Sequence, residues 1–192
     1  MNYRDLVKRL FDLCAAILGL GLLLLPMALV ACAIKLSSSG PIIFWSKRVG
    51  KNNIIFNMPK FRTMNISTPN VASHLLLDVD YHLTPIGSIL RKLSIDELPQ
   101  LLSVLSGEMS IVGPRPALYN QEDLILKRTA GGVDRLLPGI TGWAQINGRD
   151  ELNINEKVNL DITYLHKRSF WLDLKIIFLT VLKVFKREGI SH

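Results

Sequence analysis

An acidic pair, Asp96-Glu97, stands just after Ser94, where an apolar pattern with helical spacing begins. Two interpretations fit this arrangement. In the first, Ser94 and Glu97 form a capping box that satisfies first-turn N–H groups, and Asp96 is favoured by the helix dipole. In the second, the same helix N-terminus holds Asp96 ionised as a nucleophile or a metal ligand and attracts phosphate. Arg91, five residues before Asp96, is placed to face the same point.

Two further segments carry arginines within a constrained backbone. In residues 113–116, G-P-R-P, Arg115 lies between two prolines, which fix the backbone and reduce the entropy lost when a guanidinium meets a phosphate. A rigid surface turn is the other interpretation. In residues 138–149, an Asn-Gly pair predicts a strand followed by a hairpin turn. The alternative there is a loop whose backbone amides, together with Arg149, hold a phosphate or a nucleotide.

Lys60 and Arg62 add two cations after a predicted strand, and a solvated basic face explains them as well as a binding site does. Other catalytic signatures are absent from the sequence. It contains no P-loop, no dinucleotide-binding glycine motif and no serine-hydrolase elbow, and its four histidines show no metal-ligand spacing. Hydride transfer, P-loop chemistry and serine hydrolysis are therefore unsupported.

The composition indicates a folded protein that contacts a membrane. The chain has 192 residues, 48% of them hydrophobic, two cysteines and a net charge of +7, and its mean hydropathy of +0.26 is high for a soluble protein. These values exclude a disordered tail, a collagen-like fibre and a disulfide scaffold. The positive charge favours anionic partners such as lipid headgroups or a phosphorylated substrate. Nucleic acid is disfavoured because the basic residues are scattered and no aromatic platform accompanies them.

Residues 13–34 carry no charged side chain and, as a helix, would reach about 33 Å, enough to cross a hydrocarbon core of about 30 Å. Pro26 interrupts the segment, and basic residues flank it on both sides. Because positive flanks prefer the cytoplasmic side, the sequence favours a kinked re-entrant helix over a plain span. A cleaved lipoprotein-type signal at Cys32 is disfavoured because the apolar pattern continues past it. We divide the chain into a membrane helix, residues 1–36, and one globular domain, residues 37–192.

The remaining sequence predicts an α+β domain with interfacial amphipathic helices. Two short apolar runs, 42–45 and 54–56, flank a G-K-N-N turn and predict a β-hairpin. Residues 86–105 predict two helical stretches that meet at Ser94. Three more segments are predicted: a mobile loop over 65–82, a helix within 117–130, and an apolar but charged helix over 170–185. The last of these suits either the headgroup plane or a buried core.

Five motifs in series form a recognisable pattern. They are K-R-L-F-D (8–12), K-F-R-T-M (60–64), R-K-L-S-I-D-E-L-P-Q (91–100), G-E-M-S-I-V-G-P-R-P (107–116) and P-G-I-T-G-W-A-Q-I-N-G-R (138–149). Together with the apolar helix, their order and spacing resemble the bacterial sugar transferase family, the monotopic phosphoglycosyl transferases, in its small form. One departure is Leu25, which precedes Pro26 where small members commonly place a serine that bonds a freed carbonyl.

The resemblance implies a reaction at a membrane surface. A sugar 1-phosphate would pass from a UDP-sugar to undecaprenyl phosphate with release of UMP, as the first membrane step of bacterial glycan assembly. The resemblance further implies Mg²⁺ as cofactor, contact with inner-membrane lipid and a catalytic domain on the cytoplasmic face of the bacterial inner membrane. Downstream glycosyltransferases are implied as further partners. Phosphoryl transfer between two anions depends mainly on positioning and cationic charge, which suits the arginine-rich motifs.

The family's site residues map onto this sequence by motif position. Asp96 corresponds to the proposed nucleophile, which takes the phosphosugar as a covalent intermediate. Glu97 is its acidic partner, with the roles of metal ligand, orienting group and base left open, and both carboxylates are candidate Mg²⁺ ligands. The resemblance implies these substrate- and phosphate-binding residues: Arg62, Arg91, Arg115, Arg149 and Asp161. It also implies that Pro26 breaks the membrane helix.

A non-enzymatic, basic membrane-surface adaptor is the alternative function. It would bind anionic lipid through the N-terminal helix and residues 170–187. This hypothesis explains the charge and the hydropathy but leaves Asp96, Glu97 and Arg115 without a purpose. The two functions differ in extraction, because an electrostatic adaptor leaves membranes in high salt whereas a re-entrant enzyme needs detergent.

Overall fold

The computed structural model describes residues 3–68, 79–148 and 151–186. Its helices are α1 (Tyr3–Ser37), α2 (Val79–His82), α3 (Gly87–Lys92), α4 (Gln100–Ser106), α5 (Glu122–Ala130), α6 (Trp143–Ile146), α7 (Ile154–Lys167) and α8 (Phe170–Lys186). Its strands are β1 (Ile43–Val49), β2 (Ile55–Phe61), β3 (Ser110–Val112), β4 (Ala117–Leu118) and β5 (Gly139–Thr141). This mixture of helices and strands agrees with the predicted α+β class. Most of the loop predicted over 65–82 lies outside the described residues.

The predicted hairpin forms two strands of an antiparallel sheet with the strand order β2-β1-β4, in which β1 is central. Its register pairs Ile43 with Phe61 at the end away from the turn. In the turn, Asn52 and Asn53 adopt positive φ angles of 55° and 60°, which asparagine tolerates better than most residues. Pro59 lies in β2 at the edge of this sheet, where its missing N–H breaks no ladder bond.

Strands β3 and β5 form a second, parallel sheet in which Ser110 pairs with Gly139. A Cβ atom on Gly139 would lie 2.0 Å from the backbone nitrogen of Gly113, so only glycine allows these two segments to approach so closely. The hairpin predicted within 138–149 is wrong, because helix α6 follows β5 directly. The Asn147 side chain donates to the Trp143 carbonyl at 2.7 Å. This asparagine therefore caps the C-terminal end of α6 and does not form a hairpin turn.

Helix α1 lies along the rest of the protein for most of its length. Its first half packs against α4 and β2, and its second half packs against β2 and α3. The packed positions recur every three or four residues and therefore form one stripe: Ala16, Leu20, Leu23, Met27, Val30 and Ile34. The other faces of α1 present large exposed apolar side chains: Leu10, Ile17, Leu18, Leu22, Leu25 and Leu29.

The N-terminal part of α1 is held by a docking cluster, which we define as Lys8, Asp12, Tyr164 and Asp173. Lys8 Nζ lies 2.8 Å from Asp173 Oδ2 and 3.8 Å from Asp12 Oδ1. The Tyr164 hydroxyl donates to Asp173 Oδ1 at 2.7 Å, and Asp12 Oδ1 accepts from the Ile111 N–H at 3.0 Å. Every member of the cluster therefore has a partner on another element.

Arginines hold the ends of two helices at the α1 contact. Arg9 donates to the carbonyls of Val104 at 2.6 Å and Leu105 at 3.0 Å. Arg62 donates to the carbonyls of Ser39 and Ser38, the latter at 3.0 Å, just beyond the end of α1. Carbonyls at helix C-termini lack intrahelical donors, and these guanidinium groups supply them. Both ends of α1 are thus bonded to the same globular domain.

Pro26 lies inside α1, and helical structure continues on both sides of it. The proline removes one backbone donor without ending the helix. Among the described residues, α1 is the one helix that is long and apolar enough to cross a membrane, over Asp5–Ser37.

Helix α8 has two faces that differ in their surroundings. Ile176 is fully buried in a cluster with Val112, Leu136 and Tyr164. On the outside, Trp171 is 77% exposed and Phe178 63% exposed. The predicted core packing therefore describes one face of this helix, and its position in the headgroup plane stays a prediction.

Candidate functional site

The Asp96-Glu97 pair lies in a short 3-10 turn, Ile95–Glu97, between α3 and α4. Ser94 adopts a left-handed conformation with φ 54°, and its side chain makes no capping hydrogen bond. The predicted capping box is therefore wrong. Helix α4 begins later, at Gln100 after Pro99, a residue that suits a helix start because its missing N–H would be unbonded there anyway. The acidic side chains are consequently not used to cap a helix.

Glu97 is bound by two cations. Lys60 Nζ and Arg115 Nη2 each lie 2.8 Å from Glu97 Oε1, and Arg115 Nη1 lies 3.5 Å from Oε2. Burial by itself would raise the pKa of Glu97, but Arg115 and Lys60 outweigh it and hold the pKa well below the usual range. Glu97 therefore stays ionised and orients two cations beside Asp96.

Asp96 differs from its neighbour. Its side chain is 8% exposed, and its carboxylate makes no hydrogen bond or ion pair with any residue in the described part of the chain. Burial, reinforced by the charge of Glu97, raises the pKa of Asp96, while Lys60, Arg91 and Arg115 act in the opposite direction. Asp96 is therefore a buried carboxylate with three cations in its surroundings.

Arg91 completes the cationic side of the site. Its Nε donates to Thr63 Oγ1 at 3.1 Å, and its Nη2 lies 3.4 Å from Met64 Sδ. Burial lowers the pKa of Arg91, and the charges of Asp96 and Glu97 raise it in part, so the guanidinium lies within electrostatic reach of the acidic pair. Helix α3 thus carries this cation toward the 3-10 turn.

The structure distributes the sequence-predicted site residues unevenly. Arg91 and Arg115 lie at the acidic pair, as does Lys60, which the sequence marked only as a basic residue. Arg62 is buried at the end of α1 with its guanidinium committed to Ser38 and Ser39, which does not support a role as a phosphate ligand. Arg149 lies outside the described residues.

Asp161 lies on α7 and is 1% exposed. Its Oδ2 atom accepts from Arg128 Nη2 at 2.6 Å and from Arg128 Nε at 2.9 Å. Burial raises the pKa of Asp161, and Arg128 lowers it in part. The residue is therefore not an ordinary surface aspartate, because it is buried and paired with Arg128.

Arg48 also approaches the site, from strand β1. Burial, with a contribution from Arg115, lowers the pKa of Arg48 to about 10. Neither Arg48 nor Arg128 belongs to any of the five motifs, and no local pattern in the sequence distinguishes them from surface arginines. Only their contacts in the folded chain identify them.

The acidic pair fits a magnesium ion only in part. Within the residues described, no group of three His, Cys, Asp or Glu side chains could hold a metal ion. Glu97 Oε1 is bound to Lys60 and Arg115, whereas Oε2 has only the longer 3.5 Å contact with Arg115, so Oε2 and the Asp96 carboxylate are the candidate oxygen donors. Because Mg²⁺ commonly takes one or two carboxylates and completes its shell with substrate phosphates and water, this donor set suits it together with a phosphorylated ligand.

Within the described ranges, the fold and the site define a class: an α+β protein that carries one long apolar helix and a buried carboxylate without a bonded partner among cations. The model of the family described as "Bacterial sugar transferase" matches residues 3–187. The chain therefore belongs to the bacterial sugar transferase family.

Several relatives are similar over nearly the whole chain. Over 187 residues the chain is 44% identical to the uncharacterized sugar transferase EpsL of Bacillus subtilis (strain 168). This match covers 97% of the chain and 91% of that protein. It is 41% identical to the UDP-glucose:undecaprenyl-phosphate glucose-1-phosphate transferase of Escherichia coli (strain K12), covering 96% of the chain and 41% of that protein.

A third relative is named for a different sugar. The chain is 37% identical to the UDP-N-acetylgalactosamine-undecaprenyl-phosphate N-acetylgalactosaminephosphotransferase of Aeromonas hydrophila, and the match covers 95% of the chain and 44% of that protein. The chain thus spans nearly all of EpsL but less than half of the two relatives named for a substrate.

Proposed function

We propose that this protein transfers a sugar 1-phosphate from a UDP-sugar to undecaprenyl phosphate and releases UMP. The observation that carries the proposal is the Asp96 carboxylate, buried without a bonded partner in the described residues while Lys60, Arg91 and Arg115 lie nearby. A site that places several cations beside a buried carboxylate suits a phosphorylated ligand. The names of the relatives from Escherichia coli and Aeromonas hydrophila support the same reaction.

The reaction proceeds in two displacements at one phosphorus atom. An Asp96 oxygen attacks the phosphorus that bears the sugar, the bond to the bridging oxygen breaks, and UMP leaves with that oxygen and the electron pair. The product on the protein is an aspartyl phosphosugar. A phosphate oxygen of undecaprenyl phosphate then attacks the same phosphorus, Asp96 departs as a carboxylate, and undecaprenyl-diphosphate-sugar is formed. No net proton transfer is required in either step.

The cations and Glu97 have distinct roles in this scheme. Arg115 and Lys60, held in place by Glu97, neutralise charge that spreads over the phosphoryl oxygens in the transition state. Arg91, oriented by Thr63, adds a third cation for the same purpose. Mg²⁺, bound by Glu97 or Asp96 and the donor phosphates, would supply additional positive charge on the diphosphate.

The contacts of α1 support a re-entrant arrangement in the membrane. Both ends of this helix are bonded to the globular domain, at Lys8 and at Ser38, and its remaining faces expose leucine and isoleucine side chains. A helix that crossed the bilayer would carry one end away from the domain. We therefore propose that α1 enters one leaflet and returns, with Pro26 weakening the helix where the axis turns. Asp96 would then lie near the inner face of the inner membrane.

The decisive experiment measures UMP release by detergent-purified protein with Mg²⁺, undecaprenyl phosphate and a panel of UDP-sugars. UDP-glucose and UDP-N-acetylgalactosamine come first, because relatives are named for these sugars. We expect release that depends on the lipid phosphate with one donor. We also expect a protein-bound phosphosugar when the lipid is omitted, visible as a mass increase of the intact chain.

Asp96→Asn tests the nucleophile, and Asp123→Asn is its control because Asp123 is an exposed aspartate on α5. The first variant should lose both UMP release and the mass increase, whereas the second should keep both. UMP release that survives Asp96→Asn would refute the assigned nucleophile. A complete absence of release with every donor, combined with extraction by high salt, would favour the membrane-surface adaptor.

Cysteine labelling tests the topology. In a variant with Cys14→Ser and Cys32→Ser, Asn2→Cys should react with an impermeant maleimide only after the membrane is opened. Pro26→Ala should convert α1 toward a span and make residue 2 reactive from outside. Labelling from outside without the Pro26 change would contradict the re-entrant arrangement.

A further inference from the structure

Two arginines outside the sequence motifs hold the Pro114-Arg115-Pro116 turn by its backbone. Arg128 Nη1 donates to the Arg115 carbonyl at 2.8 Å, and Arg48 Nη1 donates to the Pro116 carbonyl at 3.1 Å. Because both prolines lack an N–H, the carbonyl groups are the main backbone sites by which this turn can be fixed. Each arginine takes a different carbonyl of the turn.

Arg128 is itself held rigidly. Its Nε and Nη2 atoms donate to Asp161 Oδ2 at 2.9 Å and 2.6 Å, and this pair is nearly excluded from solvent, with side-chain exposures of 11% and 1%. A guanidinium group is planar, so two bonded nitrogens determine where the third one points. The Asp161 carboxylate therefore aims Arg128 Nη1 at the Arg115 carbonyl.

Arg48 has a similar but weaker support. Its Nε donates to Ser46 Oγ at 3.0 Å, and Ser46 is buried on the same strand. The turn is thus hydrogen-bonded by Arg48 from strand β1 and by Arg128 from α5, with Asp161 on α7 supporting Arg128. At the far end of this chain of bonds, the Arg115 side chain reaches Glu97 at 2.8 Å.

We infer that Asp161 is a positioning residue that acts through Arg128 on the backbone of Arg115, and not a ligand of the substrate. The continuous path Asp161–Arg128–Arg115–Glu97 carries this inference. It deepens the proposed function, because it rests on Arg115 serving the phosphoryl group there. Arg128 and Arg48 become positioning residues by the same argument.

A double-substitution cycle separates positioning from substrate binding. Asp161→Asn should lower kcat about 100-fold with little change in the KM for the UDP-sugar, because small displacements of a charge-stabilising group cost about that much. In an Arg115→Lys background, which keeps a cation but not the planar fork, the same change should have almost no further effect. An equal loss in both backgrounds would overturn the inference and favour direct substrate contact.

Arg128→Lys and Arg128→Gln provide the second comparison. Lysine keeps the charge beside Asp161 but cannot bond the carboxylate and the Arg115 carbonyl in the same fixed geometry. We expect Arg128→Lys to restore the melting temperature lost in Arg128→Gln without restoring kcat. Full recovery of kcat by lysine would show that only charge balance matters at this position and would contradict positioning.

Hydrogen–deuterium exchange tests the inference without reference to activity. Asp161→Asn should speed exchange in the peptide 113–118, whereas Asp173→Ala, which removes an equally buried carboxylate from the docking cluster, should leave that peptide unchanged. If exchange is unchanged in Asp161→Asn while the wild type releases UMP, the positioning role of Asp161 is refuted and the proposed function is not. If the wild type releases no UMP, the proposed function fails, and the exchange result still decides whether Asp161 holds the turn.

Discussion

The docking cluster and the candidate site both bury acidic and basic side chains, but they use them differently. In the docking cluster, Asp173 accepts bonds from Lys8 and Tyr164, and Asp12 accepts one from the Ile111 amide. Each buried carboxylate there has a donor. Such pairing compensates the free energy lost when a charge leaves water. The docking cluster is therefore complete without any ligand.

In the candidate site the compensation is unequal. Glu97 is bound by Lys60 and Arg115, whereas Asp96 has no bonded partner among the described residues although it is almost equally buried. The comparison teaches that residue types alone do not distinguish a structural charge cluster from a reactive one. The distinguishing feature is a buried charge for which the described residues supply no bonded partner.

Asp96→Asn should produce the largest loss of activity of the substitutions considered, without a loss of stability. We expect loss of at least about a thousandfold in kcat, as for removal of a nucleophile elsewhere. The melting temperature should stay equal or rise, because the raised pKa of Asp96 means that its ionised form disfavours folding at neutral pH. Thermal unfolding in detergent, measured beside UMP release, checks both parts. A large fall in melting temperature would mean that Asp96 is a structural charge.

Asp173→Ala should show the opposite behaviour. It leaves Lys8 and the Tyr164 hydroxyl without their acceptor, which should lower stability by about 3 kcal/mol. The rate of the chemical step should change little, because no member of the docking cluster contacts Asp96. Unfolding and single-turnover kinetics on the same preparation test this pattern. Equal losses in stability and in the chemical rate would remove the distinction between the two regions.

The pH dependence of kcat/KM should reveal the unequal pair. Asp96 must be ionised to attack, and because burial and Glu97 raise its pKa, activity should fall on acidification at a pH above the ordinary aspartate value of about 3.9. Glu97→Gln removes the neighbouring negative charge and should move this acid limb to lower pH, even though overall activity drops. A limb that moves upward would contradict the electrostatic account.

Arg168→Ala should have the smallest effect. Arg168 lies 3.4 Å from Asp5 at the edge of the docking cluster, and both side chains are 41% exposed. Exposed ion pairs contribute little, so we expect a change of about 0.5 kcal/mol in stability and normal activity. Unfolding experiments at low and high salt provide the check. A loss comparable to that of Asp173→Ala would mean that exposure does not separate the two kinds of charge.

Local sequence patterns predicted much of the fold. The β1–β2 hairpin and the division of residues 86–105 at Ser94 are confirmed, because turn residues and apolar spacing act over a few positions. The capping box and the hairpin at Asn147 are wrong for a related reason. In each case a tertiary interaction replaced the local one. Glu97 forms ion pairs with Lys60 and Arg115, and β5 pairs with β3.

The sequence by itself determined the family, the apolar N-terminal helix and the candidacy of Asp96, Glu97, Arg91 and Arg115, since all of these depend on residue types at fixed spacing. The tertiary structure alone decided which charges are paired. It committed Arg62 to the end of α1, Asp161 to Arg128, and Glu97 to two cations, and it left Asp96 unbonded within the described residues. Pairing depends on distances between residues far apart in the chain, and local sequence patterns carry no record of those distances.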